Sequence, residues 1–105
     1  MSTYVQIATL ADLPPNGMCG FVHGSHRIAI YRIGDNLYAT NNVCSHEEAD
    51  LTDGWLEPDD CTVECPLHGA RFDITTGQAL TLPAYRPVAI YPIRLEGDLV
   101  FVELP

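Results

Sequence analysis

The chain has no lysine. Its only strong bases are five arginines, Arg27, Arg32, Arg71, Arg86 and Arg94, set against fourteen acids for a formal charge of -9 over 105 residues. Such a balance repels phosphate backbones and anionic lipid, so nucleic acid and membrane are poor partners and a basic protein surface is a good one. Acidity of this kind also simply keeps a small protein soluble. No apolar run approaches the roughly twenty residues that cross a bilayer. Met1 to Gln6 lack the charged start and apolar core of a signal peptide, so a cytoplasmic location is expected. There is no repeat, linker or low-complexity tract, and a chain of this length can bury one core; a single domain over residues 1–105 is expected. Cysteine is scarce as well, with four residues alongside four histidines. In a reducing compartment, cysteines placed beside histidines point to metal rather than to a disulfide framework.

Helical periodicity is nearly absent too. Tyr4 to Ala8, Met18 to Val22, Arg27 to Ile33 and Leu37 to Thr40 read as strands, separated by turn signals at Asn16-Gly17, His23 to His26 and Gly34 to Asn36. Thr9 to Asp12 can cap one helical turn that Pro14-Pro15 ends. Thr62 to Glu64 and Arg71 to Ile74 add short strands, and Ala89 to Leu95 is expected to pair with Leu99 to Glu103 across Glu96-Gly97-Asp98, with Pro92 at an edge or bulge. Many short strands with regular turns predict an all-β antiparallel sandwich or barrel.

Two stretches in this frame carry chemistry, Cys44-Ser45-His46 and Cys65-Pro66-Leu67-His68. Each offers one thiolate and one imidazole, and each follows a strand, so two loops can meet at one end of the fold. Tetrahedral zinc accepts two cysteines and two histidines, but structural zinc sites usually keep thiolates in one knuckle and histidines in another. A cysteine and a histidine from each loop instead fit a Rieske centre, in which one iron of a [2Fe-2S] cluster takes two thiolates and the other two imidazoles. A zinc-stabilised binding module stays open as an alternative; colour separates the two.

Cys44-Ser45-His46, Asp53-Gly54-Trp55-Leu56, Cys65-Pro66-Leu67-His68-Gly69, Arg71-Phe72-Asp73, Thr76-Gly77 and Tyr91-Pro92 together resemble the small Rieske ferredoxins of bacterial aromatic-ring-hydroxylating dioxygenase systems. The resemblance runs over essentially the whole chain. It departs in the eighteen residues between His46 and Cys65, a slightly longer spacing than is usual in the family, with the extra residues expected around Pro58 to Cys61. It implies a Rieske-type fold with a small cluster-binding subdomain at one end, its loops at about residues 42–82. It implies one [2Fe-2S] cluster, with Cys44 and Cys65 on the inner iron and His46 and His68 on the outer, solvent-facing iron. The added electron is then expected on the histidine-bound iron. It also implies a monomeric one-electron carrier between a flavin-containing ferredoxin reductase and a terminal oxygenase, with no reaction of its own. Pro83, in Leu82-Pro83-Ala84, resembles the family's third loop, which covers the cluster.

High-potential members carry an extra cysteine in each ligand loop, and a serine and a tyrosine that donate to sulfur. The corresponding positions here are Ala49, Leu67, Ala70 and Phe72, none of which can do so. The expected potential lies at the low end, on the order of -150 mV.

Seven acids fall between Glu47 and Asp60 with no base among them, which reads either as a docking face or as a solvated loop. Cys19 is expected to be a small buried hydrophobe, and Cys61 partly exposed near the site. His23 and His26 read as turn residues. Trp55 either shields the site or packs in the loops, the latter being the stronger expectation. A rival assignment is the Rieske-like small subunit of a larger oxidoreductase such as assimilatory nitrite reductase. An oxygenase large subunit would need a further mononuclear-iron domain, for which 105 residues leave no room.

Overall fold

The run Ile28-Ala29-Ile30-Tyr31 has no exposed surface at all. It lies in a strand that is buried on both faces, and the fold is arranged around it. The computed structural model describes residues 3–45, 48–67, 69–82 and 84–105. Within these, ten strands form three antiparallel sheets.

The four-stranded sheet comprises β2 (Gly17–His23), β3 (His26–Ile33), β4 (Asn36–Asn41) and β8 (Ile90–Tyr91), hydrogen-bonded in the order β2-β3-β4-β8. A three-stranded sheet, β1-β10-β9, comprises β1 (Thr3–Thr9), β9 (Ile93–Glu96) and β10 (Leu99–Leu104). Because side chains alternate along a strand, one face of each sheet can be apolar. Val100, Val102 and Leu104 on β10 bury with Ile28 and Ile30 on β3 to form the first core. The opposite face of β3 turns Ala29 and Tyr31 into a second core, shared with Val63, Phe72, Ile74 and both candidate cysteines, Cys44 and Cys65. That second core belongs to a small sheet, β5 (Trp55–Glu57), β6 (Thr62–Glu64) and β7 (Arg71–Asp73). The four-stranded sheet is thus the wall between a sandwich core and a small subdomain built on the β5-β6-β7 sheet, which holds both candidate cysteines.

Pro92 marks more than an edge. Ala89 to Leu95 is not one strand: Ile90–Tyr91 pairs with β4, and Ile93–Glu96 pairs with β10. With no N–H, Pro92 cannot donate to either ladder, and the chain changes sheets there. The Glu96 to Leu99 hairpin forms as the turn residues predict. Two 3-10 turns are present among the described residues, Leu10–Asp12 and Leu51–Asp53; in the first, Asp12 accepts from the Thr9 N–H at 2.9 Å. β5 has no counterpart in the strand pattern of the sequence: Trp55–Glu57 lies between Asp53-Gly54 and Pro58-Asp59, whose turn chemistry masks it, whereas Thr62 to Glu64 has a β-branched pair.

The one polar pair in the depth of the wall is Tyr31 and Thr40, whose oxygens lie 3.0 Å apart. Burial pushes the Tyr31 hydroxyl well above its ordinary value, against a smaller downward pull from the Thr40 bond.

Candidate metal centre

β4 ends at Asn41, and Asn42 fixes how the chain leaves it. Buried Asn42 donates its N–H to the Arg27 carbonyl at 2.9 Å, while its own carbonyl and Oδ1 accept from Leu51 at 2.7 Å and Thr52 at 3.0 Å. The segment 43–50 is thereby pinched into a loop. Val43 and Asp50 form an isolated antiparallel bridge across its neck, and the Cys44 N–H donates to the Ala49 carbonyl at 2.9 Å.

The second loop repeats this plan. Glu64 on β6 pairs with Arg71 on β7 across the neck, and the Cys65 N–H donates to the Ala70 carbonyl at 2.7 Å. Each loop therefore runs from a cysteine to an alanine five residues on, closed by the same backbone bond. Gly69 makes the return possible with φ at +70°, a conformation that a side chain disfavours. Gly54 serves the second neck differently. It lies so close to β6 that a Cβ there would sit 1.8 Å from the Glu64 carbonyl oxygen.

A third segment ties the two loops together. Leu80 donates to the Arg71 carbonyl at 2.8 Å, and the Arg71 N–H donates to Thr81 Oγ1 at 2.9 Å. At the other end the Ser45 hydroxyl donates to the Arg86 carbonyl at 2.5 Å. Ala84 and Val88 drop into the core that holds the cysteines. Pro83, expected to cover the site, lies outside the described residues.

Of the four candidate ligands, Cys44 and Cys65 are brought into one core, 4% and 0% exposed. His46 and His68 lie outside the described residues, so their geometry is not given; by sequence each belongs to one of the two closed loops. The donor set fits a Rieske cluster. Two sulfurs, remote in sequence, are buried together from loops of matching closure, and each loop carries one histidine two or three residues beyond its cysteine. Ala70 and Phe72 are fully buried in the same core and bring no side-chain donor to it.

The acidic stretch is not one face. Glu57 opposes Thr62, so Asp59 and Asp60 occupy the turn of the β5-β6 hairpin, about 10 Å along the strand from Cys65. The residues of the longer spacing, Pro58 to Cys61, lie in that same turn, away from the loop necks. Glu48 and Asp50 are near the first loop, and Arg27, silent in the sequence, reaches both of them. Glu47 lies outside the described residues. Trp55 stands on β5 opposite Glu64 and is 58% exposed, so it packs less than expected. Cys19, expected to be buried, is only half-buried against the edge of the first core, as Cys61 is against the second; both are free thiols. His23 and His26 flank the β2-β3 turn, as their turn chemistry predicts. Sequence reasoning missed Arg27, Asn42 and the Ser45 to Arg86 tie. Their partners are distant in the chain, and only the strand pairing brings them together.

Comparison with known proteins agrees with this geometry. Residues 3–92 match the family described as the Rieske [2Fe-2S] domain. The 3-phenylpropionate/cinnamic acid dioxygenase ferredoxin subunit of Escherichia coli is 46% identical over 96 residues, covering 91% of this chain and 89% of that protein. The ferredoxin of carbazole 1,9a-dioxygenase from Nocardioides aromaticivorans superposes with a TM-score of 0.91 at 38% identity, over 95% of this chain and 96% of that one. A further solved structure, a complex of reduced oxygenase and oxidised ferredoxin in carbazole 1,9a-dioxygenase, contains a chain matching at TM-score 0.86 and 30% identity, over 94% and 91% of the two chains.

Proposed function

Because the chain belongs to the Rieske [2Fe-2S] domain family, we propose that it is a low-potential one-electron carrier, taking electrons from a flavin-dependent NAD(P)H reductase and delivering them to a terminal oxygenase of aromatic hydrocarbon degradation. It works as a single Rieske domain over residues 1–105, as a monomer in the cytoplasm, and it catalyses no reaction of its own. No helix among the described residues is long and apolar enough to cross a membrane. The observation that carries this reading is the pair of matched loops, each closed from cysteine to alanine by one backbone bond, with both cysteines in one core.

The cluster, when bound, supplies reversible one-electron chemistry. Cys44 and Cys65 hold its inner iron, and His46 and His68 hold the outer one. The protein excludes water from the sulfur side by packing Val63, Phe72 and Ile74 around the cysteines. Burial without hydroxyl donors at Ala70 and Phe72 leaves the added negative charge poorly compensated, which lowers the potential.

A partner meets the loop end of the subdomain. Leu67 in the second loop, and Leu82 and Tyr85 in the segment tied to both loops, are exposed apolar side chains of the kind a transient interface covers. Glu48 and Asp50 stand by the first loop at this end, while Asp59 and Asp60 lie farther off in the β5-β6 turn; together they give the subdomain a negative field that steers a basic partner toward it. Protein-film voltammetry tests the role. A midpoint on the order of -150 mV supports a carrier fed from reduced flavin, and a midpoint well above zero contradicts it.

A further inference from the structure

We propose that Arg27 and Arg71 are positioning residues, one for each ligand loop, and that their ion pairs hold the loop necks at the spacing the cluster requires. The inference rests on the Rieske assignment and goes beyond it by giving two arginines a role.

The two necks are equivalent in backbone but not in side chains. At the second neck, the opposed residues are themselves a pair: Arg71 Nε donates to Glu64 Oε1 at 3.2 Å, closing the loop directly above the Cys65 to Ala70 bond. At the first neck the opposed residues are Val43 and Asp50, and valine cannot pair with a carboxylate. The missing cation comes from the neighbouring strand. Arg27 on β3 donates from one guanidinium nitrogen to Asp50 Oδ1 and sets the other 3.7 Å from Glu48 Oε1. Its backbone carbonyl accepts from Asn42 at the start of the same loop, so Arg27 grips both ends of the segment.

Both pairs are half-buried: Arg27 and Asp50 are 38% and 31% exposed at the side chain, and Arg71 and Glu64 are 42% and 28%. They are therefore better sheltered than the pair of Arg94 with Glu96 on the far hairpin, at 53% each. The planar fork matters for Arg27, because its two terminal nitrogens face Asp50 and the exposed Glu48 from fixed positions, whereas a lysine offers one flexible nitrogen that is less well pre-organised for the Asp50 pair. Replacing residues that orient metal ligands without touching the metal typically costs about 10–100-fold in metal affinity.

The test uses the holoprotein and follows bleaching of the visible absorbance under excess EDTA, with EPR of the reduced form. Arg27→Met and Arg71→Met are expected to release iron about tenfold faster than wild type and to change the g anisotropy. Arg94→Met is expected to stay within about twofold with an unchanged spectrum. Arg27→Lys keeps the charge and is still expected to release iron at least about threefold faster. If either methionine variant fails to fold, Asp50→Asn and Glu64→Gln remove the same pairs with little change of shape and are expected to behave alike. Release rates and spectra matching wild type in the Arg27 and Arg71 variants, or a full return to wild type in Arg27→Lys, overturn the inference. A wild-type protein that binds no cluster would instead overturn the family-based function.

Discussion

Replacing Gly54 by alanine puts a methyl group against the strand that feeds Cys65. The new Cβ would lie 1.8 Å from the Glu64 carbonyl oxygen and 3.2 Å from the Leu51 carbonyl oxygen, where ordinary contact begins at 3.4 Å. The first clash needs about 1.6 Å of relief (3.4 less 1.8) and falls on backbone, so no rotamer change can absorb it. Glu64 sits between Val63 and Cys65, both without exposed surface, in a strand paired on both edges. Forcing β5 from β6 in so packed an interior costs about 3 kcal/mol or more. A small domain has only about 5–15 kcal/mol of stability, and each kcal/mol lost lowers the midpoint of a chain this size by about 4 °C, so a fall of about 12 °C or more is expected. Thermal scans of the holoprotein, followed by far-UV circular dichroism and by visible absorbance, read both fold and cluster. The displacement falls directly before Cys65, so colour should be lost at or before the loss of sheet. A Gly54→Ala protein that melts within about 3 °C of wild type with undiminished iron would refute the reasoning.

Alkaline pH should expose the buried tyrosine. Tyr31 ionises near 10.0 when unfolded and higher when folded, so above pH 10 the folded state holds more protons than the unfolded chain. Stability is then fully present below pH 10 and falls as pH rises beyond it. Tyr31→Phe should flatten that decline in urea titrations at several pH values, leaving a smaller contribution from Tyr91, also raised by burial. Its cost at neutral pH should be about 1 kcal/mol, since the Thr40 hydroxyl still donates to the Asn41 carbonyl. Stopped-flow electron transfer to a Rieske oxygenase with a basic docking surface should slow roughly tenfold as ionic strength rises from low to several hundred millimolar. Asp59→Asn/Asp60→Asn should reduce that salt dependence without changing the rate at high salt, and a rate indifferent to salt would reduce the acids to a solubility role.

Much of this architecture is legible in the chain, and the parts that are not share a cause. Arg27 to Ile33 declares itself as a strand because its centre, Ile28 to Tyr31, is buried on both faces and is therefore an unbroken apolar run. The cysteine and histidine spacing points to a candidate centre because ligand chemistry is local to each loop, and the fold buries both cysteines in one core. Pro92 can be seen to interrupt a strand, but not that the interruption sends the two halves to different sheets, since partner choice is a tertiary event. β5 is hidden because Trp55–Glu57 sits between the turn residues Asp53-Gly54 and Pro58-Asp59, without the β-branched pair that marks Thr62 to Glu64. The seven acids look like one surface in one dimension, whereas the β5-β6 hairpin carries Asp59 and Asp60 away from the loop end. Arg27 lies seventeen residues before Cys44, and only the β3-β4 pairing brings it to Asp50.

The central claim is that Cys44, His46, Cys65 and His68 hold a [2Fe-2S] cluster whose added electron settles on the histidine side. EPR of the dithionite-reduced protein, with iron and acid-labile sulfide analysis, tests it most directly. The account predicts about two irons and two sulfides per chain, and a rhombic mixed-valence signal that Cys65→Ala abolishes. A colourless protein with one zinc and no such signal would contradict it.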